Sequence, residues 1–300
     1  MKHLRNFDHK ANPAEPGSAR SETLEVGAAR TRVMVHFQGT GTPLVFLHSA
    51  ACDSRQWRHF AEDWTNRHQI VLPDLPGCGR SDDLATDCPM SLAGDADVVD
   101  AISDRLKRPF HLIGHSYGGA VALKSATRLG ERIASLTLIE PTSFHLLRHG
   151  DRIERDLLAQ IKGFAASVEE AVLSGFEEIA MRRFVDFWSH PGAWGEMPAA
   201  KRKALVPRAS KLPEDFSRLF NEELSPSDIA KLTIPTLVIC GTHSPEPARA
   251  LSRLIAKAIT QSRHRTIAQA GHMLPFTHRV QINRLMEEHL LLEKGVVRQT

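Results

Sequence analysis

No apolar run in this chain of 300 residues is longer than a strand. Segments such as Leu44-Val45-Phe46-Leu47 and Thr236-Leu237-Val238-Ile239-Cys240 fall far short of the roughly 20 residues that cross a bilayer, so no membrane segment is expected. Cysteine is scarce. Cys52, Cys78, Cys88 and Cys240 lie far apart without a Cys-x-x-Cys spacing, which argues against a disulfide framework or a zinc site and leaves reduced thiols with no assigned role. A surplus of one charge is also lacking. The formal net charge is +3, and Lys and Arg alternate with Asp and Glu, so no basic stripe points to nucleic acid and a small molecule is the expected partner. There is no His-Glu-x-x-His and no other metal-ligand spacing, so neither metal nor cofactor is expected. The first residues, 1–22, are polar, carry Asn12-Pro13 and Pro16-Gly17, and have no apolar signal core. They read as a flexible N-terminal arm on a cytoplasmic protein. No internal repeat or sustained heptad indicates an oligomeric state.

What the chain does have is Gly114-His115-Ser116-Tyr117-Gly118, preceded by the apolar run Phe110-His111-Leu112-Ile113 and followed by the small-residue stretch Gly119-Ala120-Val121-Ala122. An apolar strand that turns at once into a helix needs flanking residues with almost no bulk, because strand and helix pass close together there. The pattern is that of a nucleophile elbow, with the Ser116 hydroxyl projecting from the end of a sheet.

The rest of the chain supplies that sheet. Apolar or β-branched runs at 32–38, 44–48, 69–73, 110–113, 133–139, 236–240 and 265–268 predict strands, and helical patterns at 54–66, 91–106, 117–129, 247–259 and 277–292 lie between them, with Ser54 and Ser91 as N-caps. Such alternation predicts an α/β protein with a mostly parallel central sheet and flanking helices. The rhythm stops in the middle. Residues 143–231 contain no convincing strand, are rich in Phe and Trp, and carry prolines at 191, 198, 207, 213 and 226. They predict an inserted all-helical cap over the sheet edge, with the core domain formed by 23–142 and 232–300. Most of the cap aromatics should pack its own core, and a minority should line a pocket.

Four landmarks in order, namely Leu47-His48-Ser49-Ala50, Asp74-Leu75-Pro76-Gly77-Cys78-Gly79, the elbow, and Gly271-His272, make the chain resemble the α/β-hydrolase superfamily over about residues 33–292. The resemblance implies a cofactor-free serine hydrolase with an α/β-hydrolase fold. It assigns the nucleophile to Ser116, the base to His272, and the oxyanion hole to the backbone N–H groups of Tyr117 and Ala50. His115 fills the elbow's variable position, and His48 supports the oxyanion loop. Ser49 stands where the superfamily commonly has glycine.

Departure from the superfamily pattern is greatest at the acid. Members most often carry an aspartate shortly after the strand at 236–240, where this chain reads Gly241-Thr242-His243-Ser244-Pro245-Glu246, with Ser244 at the carboxylate position. Two candidates remain. Glu140, at the end of the 133–139 strand, is preferred, since some members, including haloalkane dehalogenases, place the acid there; Glu246 is the alternative and would need a shift along its loop.

The expected chemistry is attack of Ser116 on the carbonyl of a small carboxylic ester or lactone, with an acyl-enzyme that water releases. Serine rather than aspartate as nucleophile argues against dehalogenation. Carbon–carbon bond hydrolysis of a diketone, amide cleavage and haloperoxidase-like activity share the same groups. A lyase or acyltransferase that excludes water would also use them, and a non-catalytic ligand-binding protein on the same fold is the reading from a different class.

Overall fold

Alternating apolar residues on short segments build one sheet in the computed structural model, which describes residues 17–86 and 88–293. Its strands are β1 (Arg20–Val26), β2 (Thr31–Gln38), β3 (Thr42–Leu47), β4 (His68–Pro73), β5 (Phe110–His115), β6 (Ile133–Ile139), β7 (Thr236–Gly241) and β8 (Ser262–Ile267). They lie in the order β1-β2-β4-β3-β5-β6-β7-β8. β1 pairs with β2, and β2 with β4, antiparallel; the other pairings are parallel.

Strand β3 shows how the sheet is buried on both sides. Leu44 and Phe46 belong to one apolar cluster, Val45 and Leu47 to the other, as the period of two along a strand requires. Helices α1 (Arg58–Glu62), α2 (Ala93–Leu106) and α3 (Tyr117–Leu129) follow β3, β4 and β5. Between β6 and β7 come α4 (Arg152–Leu173), α5 (Glu177–Trp188), α6 (Ala193–Glu196), α7 (Ala199–Leu205), α8 (Leu212–Asn221) and α9 (Pro226–Ile229), without a strand. The chain then adds α10 (Glu246–Ala258), α11 (Leu274–Thr277) and α12 (Arg279–Glu293). Residues of α2, α3 and α10 pack on one face, and Phe60 of α1 with Ile282 and Met286 of α12 on the other. The α/β architecture with a mostly parallel sheet and an all-helical segment inserted after β6 is the one expected. Among the described residues, no helix is long and apolar enough to cross a membrane.

The differences lie at edges and ends. Residues 20–22, expected in the N-terminal arm, belong to β1, and the arm's residues 1–16 lie outside the described ones. β1 escapes a hydrophobicity reading because it is a polar edge: Glu22 pairs with Arg20 and Arg105, and the Arg20 guanidinium lies 4.6 Å from the centre of the Phe37 ring. The helix expected over 54–66 is a 3-10 turn (Ser54–Trp57) running into the short α1, and its cap is Asp53, whose carboxylate accepts the Arg55 N–H at 3.0 Å. Ser54 instead donates its N–H to Asp74, at 2.8 Å. α2 begins at Ala93, with Leu92 at its N-cap, and Ser91 accepts only a 3.4 Å bond from the Ala93 N–H. Pro207, Pro213 and Pro226 stand at the first turn of the pieces they begin, so these prolines divide the segment into short helices.

At the end of β5 the fold demands glycine. A Cβ on Gly114 would lie 2.2 Å from the Gly118 carbonyl oxygen, and one on Gly118 would lie 2.5 Å from the His48 oxygen. All the nearest atoms are backbone, so neither clash is relieved by a rotamer. Gly114→Ala is therefore expected to cost about 1–3 kcal/mol or more, read as a lower urea midpoint; an unchanged midpoint would contradict this packing.

Candidate active site

Ser116 sits between the last residue of β5 and the first of α3, with φ 54° and ψ −118°. For a non-glycine residue that backbone costs energy and persists only when neighbours hold it. They do so here: the Ser116 N–H donates to Ile139 O at 2.9 Å, and the Ser116 carbonyl accepts from Gly119 and Thr142. The turn therefore leans on the end of β6, where the next functional group begins.

Glu140 follows β6, also at positive φ (46°), and its side chain is fully buried. One carboxylate oxygen accepts from the Gly241 N–H at 2.7 Å and from the Ser244 hydroxyl; the other lies 2.6 Å from His272 Nδ1. Burial alone would push this carboxyl's pKa up, but the hydrogen bonds from His272, Gly241 and Ser244 outweigh it and hold the pKa below the ordinary glutamate value. Ser244, at the position where an aspartate is common, thus acts as a donor to the carboxylate delivered from the neighbouring strand.

His272 Nε2 lies 2.9 Å from Ser116 Oγ. With Nδ1–H given to Glu140, the free lone pair of Nε2 faces the hydroxyl, the arrangement needed to take a proton from it. Glu246, by contrast, opens α10, is partly exposed, and pairs with Arg249 and Arg253. The structure brings Ser116, His272 and Glu140 into one hydrogen-bonded chain and leaves Glu246 out of it.

The loop after β3 is equally constrained. His48 donates from Nδ1 to Ser49 O and accepts the Leu75 N–H at Nε2, both at 2.9 Å, so the buried ring is neutral and ties this loop to the one after β4. The Ser49 N–H and hydroxyl both donate to Gln56 Oε1, at 2.9 Å each. Gln56 Nε2 in turn donates to His115 Nδ1 at 3.1 Å, and His115 Nε2–H donates to the His272 carbonyl at 2.9 Å. His115 is therefore more than a filler of the elbow. It joins the loop carrying Ala50 to the backbone of His272. Burial, and then the neighbouring His272, push its pKa down to about 3. Tyr117, the chain's one tyrosine, is the first residue of α3, so its N–H has no earlier turn to bond. Its ring is held from behind by a 2.9 Å bond from its hydroxyl to Asp95.

Two cavities meet at Ser116. A large one, about 540 Å³, is bounded by Ala50, Gln56, Ser116 and His272 on the sheet side and by Met181, Trp188, Leu205 and other residues of the helical segment opposite. A small one, about 10 Å³ and so water-sized, is bounded by Ala50, Ser116, Tyr117, Thr142 and Phe216. Trp188, from α5, closes over the first, its ring centre 4.3 Å from that of His272. A separate surface cleft of about 480 Å³ beside Lys124 and Lys231 contains none of these groups. All four cysteines are free, and Cys52 borders the large cavity. Among the described residues, no group of three His, Cys, Asp or Glu side chains is placed to hold a metal ion.

Residues 44–285 match the model of the alpha/beta hydrolase family. The chain belongs to this family. It is 32% identical over 114 residues to a cis-3-alkyl-4-alkyloxetan-2-one decarboxylase of Shewanella oneidensis, a match covering 36% of this chain and spanning only 35% of that protein's length. It is 27% identical over 260 residues to a pimeloyl-[acyl-carrier protein] methyl ester esterase of Aeromonas hydrophila, covering 85% of this chain and 98% of the esterase. Among solved structures, an esterase from Exiguobacterium antarcticum superposes with a TM-score of 0.74 at 17% identity, covering 90% of this chain and 99% of that one. This last likeness is one of fold.

In this alpha/beta hydrolase, the buried His115 gives the folded state a measurable acid sensitivity. Its pKa is near 3 folded and ordinarily about 6.5, so the unfolded chain binds a proton that the fold refuses as pH falls below 6.5. Its contribution is intact above pH 6.5 and shrinks towards pH 3. Unfolding free energy measured from pH 6.5 to 4 should therefore fall less steeply in His115→Gln than in the parent, by up to about 1.4 kcal/mol per pH unit. Equal slopes would mean His115 is protonated in the fold.

Proposed function

We propose that the protein hydrolyses a small carboxylic ester or lactone through a Ser116–His272–Glu140 triad. The observation that carries the reading is the unbroken hydrogen-bonded chain from Glu140 through His272 to Ser116 at the floor of an apolar cavity. As Ser116 Oγ attacks the carbonyl carbon, His272 Nε2 takes the hydroxyl proton, and the imidazolium is stabilised by the Glu140 carboxylate. The tetrahedral oxyanion is received by the N–H groups of Tyr117 and Ala50. Collapse of the adduct expels the alcohol, protonated by His272, and leaves an acyl-enzyme. Water, losing its proton to His272, then releases the acid and restores Ser116. Residues 143–231 serve as the cap that closes the site. A protein that only binds ligand has no use for a carboxylate-oriented imidazole aimed at a hydroxyl, which weighs against the non-catalytic reading.

The two cavities also orient the substrate. His272 must reach the leaving oxygen, so the alcohol portion belongs in the large cavity that His272 borders. The acyl portion belongs on the Tyr117 side, where there is room only for a short group.

Two measurements test this. Incubation with a small fluorophosphonate should add one adduct, mapped to Ser116 and absent from Ser116→Ala; Glu140→Gln should lower kcat by about 10²-fold or more, with Glu246→Gln within about twofold of the parent. Labelling elsewhere, or the reverse order of the two glutamates, would sink the assignment. Among 4-nitrophenyl esters, acetate should exceed hexanoate in kcat/KM by about tenfold or more, in proportion to the overpacking a longer chain forces; a preference for hexanoate would reverse the orientation.

A further inference from the structure

We infer that the substrate carries an anionic group on its alcohol portion, received by a cluster of Arg55, Lys201 and Arg208 in the large cavity, an inference that rests on the hydrolase reading above. Four Asp, Lys or Arg side chains border this cavity, and three are cations; Asp53 is the one anion. The Asp53 carboxylate is buried and already saturated. It accepts from the Arg55 N–H at 3.0 Å, Arg55 Nε at 2.9 Å, Arg55 Nη2 at 2.6 Å and Arg208 Nη2 at 2.8 Å. Four bonds fill what a carboxylate can accept.

The guanidiniums are not saturated. Each has five N–H donors; Arg55 spends two on Asp53, and Arg208 spends one on Asp53 and one on Ala51 O at 2.9 Å. Three donors remain on each, and a guanidinium is suited to pair with a carboxylate or phosphate. The side-chain ammonium of Lys201, on α7, has no hydrogen bond or ion pair among the described residues. Asp53 therefore offsets one of three positive charges and fixes two of the cations in place, leaving a preorganised positive end on a wall otherwise bordered by Met181, Leu205 and Phe276. An apolar body with one negative group is the complement of that surface. Arg55 and Lys201 are solvent-exposed and Arg208 is half-buried, so the cluster would meet an anionic group at the solvent side of the cavity.

The test compares 3-(4-acetoxyphenyl)propanoate with the corresponding propanamide, esters equal in size and leaving group but different in charge. At low ionic strength kcat/KM should favour the carboxylate by about tenfold or more, the scale of one charge-assisted hydrogen bond. The ratio should fall towards one in Lys201→Gln and in Arg55→Gln. Because both esters are read on the same protein, a folding defect lowers both rates and leaves the ratio intact. A parental ratio of one or less, or a ratio unmoved by both substitutions, overturns the inference. If neither ester is hydrolysed, it is the hydrolase reading that fails, and the charge preference is then read by thermal denaturation. Sodium 4-phenylbutyrate should raise Tm more than 4-phenylbutyramide at equal concentration, and the difference should vanish in the two variants. Equal shifts in the parent overturn the inference independently of catalysis.

Discussion

The buried carboxylate of Glu140 is the constraint around which the rest is arranged. A fully buried charge is tolerable only when it is hydrogen-bonded, and here the donors come from two different places: the end of β7 with the loop that follows it, and the histidine after β8. Satisfying the charge therefore fixes the ends of neighbouring strands against each other. Ser116 is tied into the same assembly through the β6 carbonyl that receives its N–H, so nucleophile and acid are braced by one strand end. That shared bracing lets two non-glycine residues sit side by side in left-handed backbone.

Much of this was legible in the residues alone. The elbow carries its own steric signature, since Gly114 and Gly118 flank a serine between an apolar strand and a small-residue helix. Gly271-His272, near the end, stands where a late strand can deliver a base. The position of Glu140, directly after a strong apolar run, pointed to the sheet edge that Glu246 does not reach. What was not legible depends on contacts between distant segments. β1 is a polar edge strand recognisable only by its partner β2, which is why an arm read from composition extends to residue 22 and overlaps it. Asp53 rather than Ser54 caps its turn because the Ser54 amide is drawn off to Asp74, a residue twenty positions away. Gln56 carries no motif and His115 stands at the elbow's variable position, so only folding reveals that they connect the loop after β3 to the backbone of His272.

The helical segment is held to the sheet by polar ties as well as by its aromatic core. Phe144, Trp188, Phe216 and Phe220 form much of that core, as expected for most of the aromatics there. Trp188 belongs to both: it packs in the helical layer and covers the ring of His272. Shielding from water strengthens the electrostatic interactions beneath it, because the local dielectric falls.

The bond from Arg208 to the Ala51 carbonyl ties the turn before α8 to the loop after β3. Any outward swing of that turn removes a restraint on the loop, and the same swing admits solvent to the cavity. The loop keeps its bonds from Ser49 to Gln56 and from Leu75 to His48, so such a swing would loosen its Ala51 end alone.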